Sequence, residues 1–112
     1  MPELPEVETT KRGVEPFLKN KIIKKIEVRN SSLRVPVNKT KLKKIINKKI
    51  IEVGRKGKYI FLQLNDESKI IIHLGMSGTL RVHNKFRKLK HDHVILKIET
   101  GKSLIFNDTL YT

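Results

Sequence analysis

The sequence predicts a mainly β protein of the α+β class, an antiparallel β-sandwich with an N-terminal amphipathic helix and a possible second short helix. From residue 50 onward, runs rich in isoleucine, valine, phenylalanine and tyrosine alternate with turn segments such as NDES, GMSG and TG. Connectors this short join antiparallel neighbours, because parallel strands need long crossovers. With 112 residues and no internal repeat, we expect a single domain over residues 1–112.

The first element is the amphipathic helix, predicted over residues 5–18. Pro5 suits the first turn of a helix, and Glu6 and Glu8 suit its positive end. Apolar side chains then recur at roughly helical spacing. These apolar residues are Val7, Val14, Phe17 and Leu18.

The remaining elements follow from the same kinds of pattern. Residues 30–38 are turn-forming and extended around Pro36, and residues 41–48 could form the second short helix. β-Branched and aromatic runs predict strands at residues 22–28, 50–55, 59–64, 69–74, 79–82, 94–99 and 103–106.

Basic residues are concentrated in the middle of the chain. The sequence has 25 lysines and arginines against 11 acidic residues, and residues 19–58 hold fifteen of the former and two of the latter. Such a concentration favours a polyanionic partner such as nucleic acid. The alternative is an AT-rich coding sequence, which raises lysine content on every solvated surface. Charge alone therefore suggests a nucleic-acid partner without proving one.

Composition also limits the class of protein. The absence of cysteine excludes disulfides and a cysteine-ligated zinc site in these residues. The apolar runs are too short for a membrane span, and the acidic start differs from a signal peptide. We therefore expect a soluble cytoplasmic protein with no membrane partner.

The N-terminus is a candidate chemical site. Removal of the initiator methionine leaves Pro2 as a free secondary amine, and an α-amino group with a pKa of about 8 is partly neutral near pH 7. Such an amine attacks an aldehyde carbon to give an iminium ion, which promotes elimination. Glu3 and Glu6 lie within one helical turn of this amine. One could exchange protons with the sugar or base while the other orients water or holds the terminus. The alternative is that these glutamates only favour the helix start.

Several segments carry a resemblance to a known family. MPELPEVET, followed by KRG, resembles the N-terminal signature of the formamidopyrimidine-DNA glycosylases. GKYIFLQL, IIHLGMSGTLRV, KHDHVIL and LIFND resemble further segments of that family in the same order. As a set they are highly specific and span residues 1 to about 108. The resemblance implies DNA base-excision repair by a glycosylase that also cleaves abasic sites and removes oxidised purines.

The resemblance also implies roles for individual residues. Pro2 would be the Schiff-base nucleophile, Glu3 the acid/base that protonates the sugar or the departing group, and Glu6 a supporting carboxylate. Lys58 matches a family lysine near the phosphate and lesion, regarded as a proton donor in the elimination. Its alternative is an ordinary exposed lysine, one of nineteen.

The histidines allow more than one interpretation. His91 and His93 flank an aspartate and would point to one face of an extended segment, so a metal pair is conceivable. Two imidazoles alone rarely make a metal site, and we predict none. The resemblance implies instead that His91 contacts the DNA backbone and that His93 is structural. It places His73 near the DNA-facing surface, with a satisfied histidine at the sheet edge as the alternative.

Met76 lies between two glycines that allow a tight turn. A flipped-out nucleotide leaves a gap in the duplex that an apolar side chain can fill. The resemblance implies that Met76 fills this gap, whereas the residues alone fit a core methionine equally well.

The resemblance fails near the end of the sequence. Where the family has an RRFG-like turn after the aspartate, this chain reads NDTLYT, with Leu110 at the arginine position and no wedge phenylalanine. The family's helix–two-turn–helix region and four-cysteine zinc finger are not in these residues, so we expect no cofactor here. We expect a truncated or frameshifted product or an isolated domain, with weak DNA binding, impaired activity and self-association through an exposed apolar flank.

Two functions thus remain as expectations. The first is a bifunctional DNA glycosylase/abasic-site lyase that acts on damaged double-stranded DNA in the cytoplasm, at the bacterial nucleoid. The second is a non-catalytic basic nucleic-acid-binding module or degenerate remnant. Lesion preference is not readable from these residues.

Overall fold

The fold was obtained as a computed structural model, which describes residues 4–29, 43–75, 78–84 and 92–108, with the side chain of Leu4 excluded. One helix and seven strands lie within these ranges. They are α1 (Leu4–Leu18), β1 (Ile23–Val28), β2 (Ile50–Lys56), β3 (Tyr59–Leu64), β4 (Lys69–His73), β5 (Gly78–His83), β6 (Asp92–Ile98) and β7 (Ser103–Asp108).

The strands form two antiparallel sheets. One has the order β1-β6-β7-β5, and the other has the order β2-β3-β4. Both sheets contribute to one core, together with the apolar face of α1. The predicted fold class, an antiparallel β-sandwich with a leading helix, is therefore confirmed.

Alternation along the strands explains which faces meet. In β3, Ile60, Leu62 and Leu64 are fully buried, whereas Tyr59 is 48% exposed. A period of two is what a half-buried strand requires, because successive side chains point to opposite faces. The inner face of β3 therefore packs into the core, and its outer face carries the aromatic residues.

Helix α1 begins at Leu4, one residue before the predicted start, and ends at Leu18 as expected. Val7, Val14 and Leu18 are buried on its inner face. Phe17, which the spacing assigned to the same face, is 42% exposed. It lies beneath the ammonium group of Lys102, which is 5.3 Å from the ring centroid. This part of the predicted apolar face is therefore a surface cation–π contact.

The predicted second helix is only partly within the described residues. Lys43 is helical, but residues 44–47 form turns, and residues 41 and 42 lie outside the described residues. The turns bring Asn47 and Lys48 against Ile23, where each makes a backbone hydrogen bond with it. Pairing with β1 therefore replaces helical hydrogen bonds in this segment, and the helix prediction is wrong for residues 44–47.

Strands β6 and β7 are longer than their apolar patterns predicted. β6 begins at Asp92 and β7 ends at Asp108, and Asp92 pairs with Asn107. Sequence patterns end a strand at such polar residues. Here the polar side chains are bound to one another across the sheet, so the strands continue.

Two glycines differ in what an added side chain would meet. The Gly78 N–H donates to the Leu74 carbonyl oxygen at 2.8 Å, and a Cβ at Gly78 would lie 2.2 Å from that oxygen. Gly13 is inside α1, and a Cβ there would meet nothing within 4 Å. Gly78 is therefore required by close backbone approach, whereas Gly13 is not.

We expect Gly78→Ala to destabilise the chain by about 1–3 kcal/mol, because the backbone at Leu74 or Gly78 must shift to make room for the added Cβ. Gly13→Ala is the matched control and should stabilise it by about 0.5–1 kcal/mol, since alanine favours a helix. Urea denaturation measures both changes. Equal effects of the two substitutions would contradict the close approach of Gly78 to the Leu74 carbonyl.

Candidate functional site

The structure describes some of the residues that the sequence singled out. Glu6, Lys58, His73 and His93 lie within the described ranges. The other candidates lie outside the described residues, and their assignments stay predictions. These are Pro2, Glu3, Met76 and His91.

The start of α1 carries Glu6 on its exposed side. Two threonine hydroxyls secure this first stretch of helix: Thr9 Oγ1 donates to the Pro5 carbonyl at 2.8 Å, and Thr10 Oγ1 donates to the Glu6 carbonyl at 3.0 Å. Each hydroxyl satisfies a carbonyl four residues earlier. The helix start that follows Pro2 and Glu3 in the sequence is thus a hydrogen-bonded element.

Lys58 lies in the two-residue turn between β2 and β3. Lys56 pairs with Tyr59, and Gly57 has a φ of 60°, a conformation that a glycine adopts without strain. Lys58 is exposed at the tip of this turn. The turn therefore presents the Lys58 ammonium group to solvent, where it can contact a phosphate.

His73 is adjacent to this turn. It ends β4 and pairs with Tyr59, and the two rings lie 4.9 Å apart between centroids. The Gly75 N–H donates to His73 Nδ1 at 3.1 Å, so the neutral ring carries its proton on Nε2. β4 is also an edge strand. The sheet-edge and surface interpretations of His73 thus both fit, and within the described ranges no hydrogen bond uses its Nε2–H donor.

The described residues on either side of positions 76 and 77 are Gly75 and Gly78. Gly75 is buried with a φ of 63°, and the Gly78 N–H donates to the Leu74 carbonyl oxygen. Met76 lies outside the described residues, so its gap-filling role stays a prediction.

A buried polar network that sequence reasoning missed joins β5, β6 and β7. Asp92 is 1% exposed and accepts two hydrogen bonds from the Arg81 guanidinium, at 2.9 and 2.8 Å. Asn107 Nδ2 donates to the same carboxylate at 2.9 Å. Paired donors satisfy a buried carboxylate. The network fixes the residue that directly follows His91, and no single-sequence signal pairs these three residues.

His93 is buried and has a structural contact. Its Nε2 and the Asp108 carbonyl oxygen lie 2.5 Å apart, and its ring is 6.5 Å from the Phe106 ring between centroids. Since the carbonyl can only accept, Nε2 donates and offers no lone pair to a metal. Within the described ranges, no group of three or more potential metal ligands occurs.

The direction of α1 relates these features to one another. At its C-terminal end, the Asn20 N–H donates to Ile50 at the start of β2, and Phe17 contacts Lys102 beside β7. Near its N-terminal end, Glu8 contacts Arg55 at the other end of β2. The helix start, the Lys58 turn and His73 therefore lie toward one end of the sandwich. β7 begins just after Lys102, at the opposite end of the sandwich. Asn107, near the other end of β7, and its pairing partner Asp92 therefore lie toward the same end as the Lys58 turn.

Glu8 is the centre of a charged cluster at this end. Arg55 Nε donates to its Oε1 and Arg12 Nε donates to its Oε2, each at 2.9 Å, and the Lys11 ammonium group is 3.8 Å away. The hydrogen bonds from Arg55 and then Arg12 hold the pKa of Glu8 below its ordinary value of 4.5. Glu8 is therefore an ionised anchor for Arg55.

Comparison with known proteins identifies the family. The family described as the formamidopyrimidine-DNA glycosylase N-terminal domain matches residues 1–110. This chain belongs to that family.

Relatives in this family share much of the chain's sequence. The formamidopyrimidine-DNA glycosylase of Legionella pneumophila is 49% identical over 109 residues, which are 96% of this chain and 39% of the relative. That of Rickettsia bellii is 42% identical over 110 residues, which are 97% of this chain and 40% of the relative. The chain thus spans about two fifths of the length of the curated relatives it matches.

Solved structures agree with the fold of this chain. A Lactococcus lactis formamidopyrimidine-DNA glycosylase bound non-covalently to abasic-site DNA superposes with a TM-score of 0.89 at 32% identity. The match covers 98% of this chain and 42% of that one. A complex of the Lactococcus lactis enzyme with DNA containing a formamidopyrimidine lesion gives a TM-score of 0.88 at 32% identity, with 97% and 41% coverage.

In the part of the chain that the structure describes, no helix combines the length and apolar character needed to cross a bilayer.

We expect Asp92→Asn to destabilise the chain by about 2–4 kcal/mol, because the Arg81 guanidinium loses the charge of a carboxylate that is fully buried. Lys48→Gln is the control, since Lys48 and Asp66 are each 38% exposed and 3.8 Å apart, and it should change stability by less than about 1 kcal/mol. Urea denaturation measures both. A loss at Asp92 no larger than at Lys48 would contradict a structural role for the network.

We expect Glu8→Gln to reduce the acid sensitivity of folding. A carboxyl group whose pKa is lowered in the folded state stabilises the fold at pH values above its pKa in the unfolded state. This contribution is lost as the pH falls through the pKa of the folded state. Wild-type stability should therefore fall more steeply than that of Glu8→Gln below the ordinary pKa of 4.5. Urea denaturation at a series of acidic pH values measures both slopes, and parallel slopes would disprove the prediction.

Proposed function

We propose that this domain carries the catalytic terminus of a DNA base-excision repair enzyme that releases oxidised purines and cleaves the resulting abasic site. The observation that supports it most is the family match over residues 1–110, which includes Pro2 and Glu3. The Lactococcus lactis relative has been solved with abasic-site DNA and with a formamidopyrimidine lesion. Damaged double-stranded DNA at the nucleoid, in the cytoplasm, is accordingly the partner we propose.

The chemistry starts at the amine of Pro2. In its neutral form the nitrogen attacks the anomeric carbon of the damaged nucleotide, and the base departs with a proton supplied by Glu3. Loss of the ring oxygen from that carbon gives an iminium ion. Removal of the proton on the neighbouring carbon then sends an electron pair toward the iminium system and expels the 3′ phosphate. Water hydrolyses the remaining iminium and regenerates Pro2.

The described residues fit supporting roles in these reaction steps. Lys58 is exposed on its turn, so its ammonium group can bind a phosphate and deliver a proton during elimination. His73 offers Nε2–H as a second donor beside it. Glu6 is exposed on the first turn of α1 and would be the supporting carboxylate. His91 would contact the DNA backbone, and Met76 would fill the gap left by the flipped nucleotide.

Borohydride trapping on an abasic-site duplex at low salt tests the proposal. The processed chain should form a covalent adduct, and a chain with an added N-terminal residue should form none, because Pro2 is then an amide. Lys58→Gln should slow strand cleavage by roughly 100-fold or more. Lys97→Gln, an exposed lysine of β6 near the opposite end, should leave the rate unchanged.

Two results would overturn the proposal. One is the absence of any adduct with the processed chain at saturating DNA. The other is an adduct that persists when Pro2 is blocked, since another amine would then be the nucleophile.

A further inference from the structure

We infer that Arg55 is a positioning residue that holds the Lys58 turn against the start of α1, an inference that rests on the proposed function. Arg55 is the penultimate residue of β2, and its side chain is 29% exposed. Its Nε donates to Glu8 Oε1 at 2.9 Å, and its Nη1 donates to the Gly57 carbonyl at 2.8 Å. One planar guanidinium thus bonds the helix and the turn together.

Both ends of this link are adjacent to proposed catalytic groups. The Gly57 carbonyl belongs to the peptide that joins Gly57 to Lys58. Glu8 lies four residues after the first residue of α1, which is about 6 Å along a helix. The distance between the Lys58 turn and the helix start therefore depends directly on the Arg55 guanidinium.

Glu8 binds two arginines through different oxygens. Oε2 accepts a hydrogen bond from Arg12 Nε, one turn later in α1, and Oε1 accepts one from Arg55 Nε. Arg12 and Arg55 contact the same carboxylate at the same distance, yet only the Arg55 guanidinium also bonds the turn among the contacts described. Arg12 is thus a matched control.

The shape of arginine matters more than its charge here. A guanidinium has several donors in a rigid fork, so two acceptors fix its orientation. A lysine ammonium at the same position is a flexible point charge and would not hold both acceptors in one geometry. Arg55→Lys should therefore retain the attraction to Glu8 but lose the fixed distance to the turn.

Energetics separate positioning from folding. Glu8 and Arg55 are both partly exposed, and ion pairs of this kind contribute little to stability. Catalysis is more sensitive, because a displacement of about 1 Å can lower a rate by about 100-fold. A large effect on strand cleavage with a small effect on melting is therefore the signature of positioning.

Single-turnover strand cleavage of an abasic-site duplex, at saturating chain, tests this inference. We expect Arg55→Gln to lower the rate by roughly 10- to 100-fold, with a melting temperature within about 5 °C of wild type. Arg55→Lys should recover less than half of the lost rate, and Arg12→Gln should keep the wild-type rate. In the Lys58→Gln background, Arg55→Gln should add less than a two-fold loss, because it acts through Lys58.

The inference is overturned if Arg12→Gln and Arg55→Gln lower the rate equally, if Arg55→Lys restores it fully, or if the Arg55→Gln loss is undiminished in the Lys58→Gln background. Amide hydrogen exchange tests the same link without DNA: Arg55→Gln should speed exchange at Lys58 and Tyr59, and Arg12→Gln should not. A wild-type chain that forms no adduct refutes the proposed function alone. Unchanged exchange in Arg55→Gln refutes the positioning role alone.

Discussion

The placement of the helix relative to the two sheets depends on how α1 buries its apolar face. Val7, Val14 and Leu18 must leave water, and together they offer several kcal/mol for doing so. They enter the core that the two sheets share, which gives the helix one direction along the sandwich. Its C-terminal end then meets Ile50 and Lys102, and its N-terminal end meets Arg55. A packing requirement thus determines which strand ends lie near the start of α1.

Polar contacts refine what packing establishes. The Asp92 carboxylate is buried and bound by Arg81 and Asn107, so it ties three strands of one sheet together. Glu8 and Arg55 make a more exposed link between the helix and the other sheet. Breaking a buried ion pair lowers the stability of the fold strongly. A more exposed pair contributes little stability, but it can still hold two elements in one geometry.

The contacts of individual lysines distinguish them from one another in this highly basic chain. Lys58 stands on a turn that Gly57 makes possible, beside the Nε2–H of His73. Lys48 pairs with Asp66, and the ammonium groups of Lys69 and Lys102 lie over the rings of Phe61 and Phe17. Abundance alone therefore does not identify a functional lysine. Its position on the backbone does.

Much of this protein follows from its sequence. The run of residues 59–64 was predicted with the bounds that β3 has, because alternation and turn residues are local signals. The family, and with it the proposal for Pro2, follows from ordered motifs. The exposure of Phe17, the turns at residues 44–47, the added length of β6 and β7, the Asp92 network and the Arg55 link were decided by tertiary structure. Each depends on a partner distant in sequence, such as Asn107 for Asp92 or Glu8 for Arg55, and no local pattern encodes that partner.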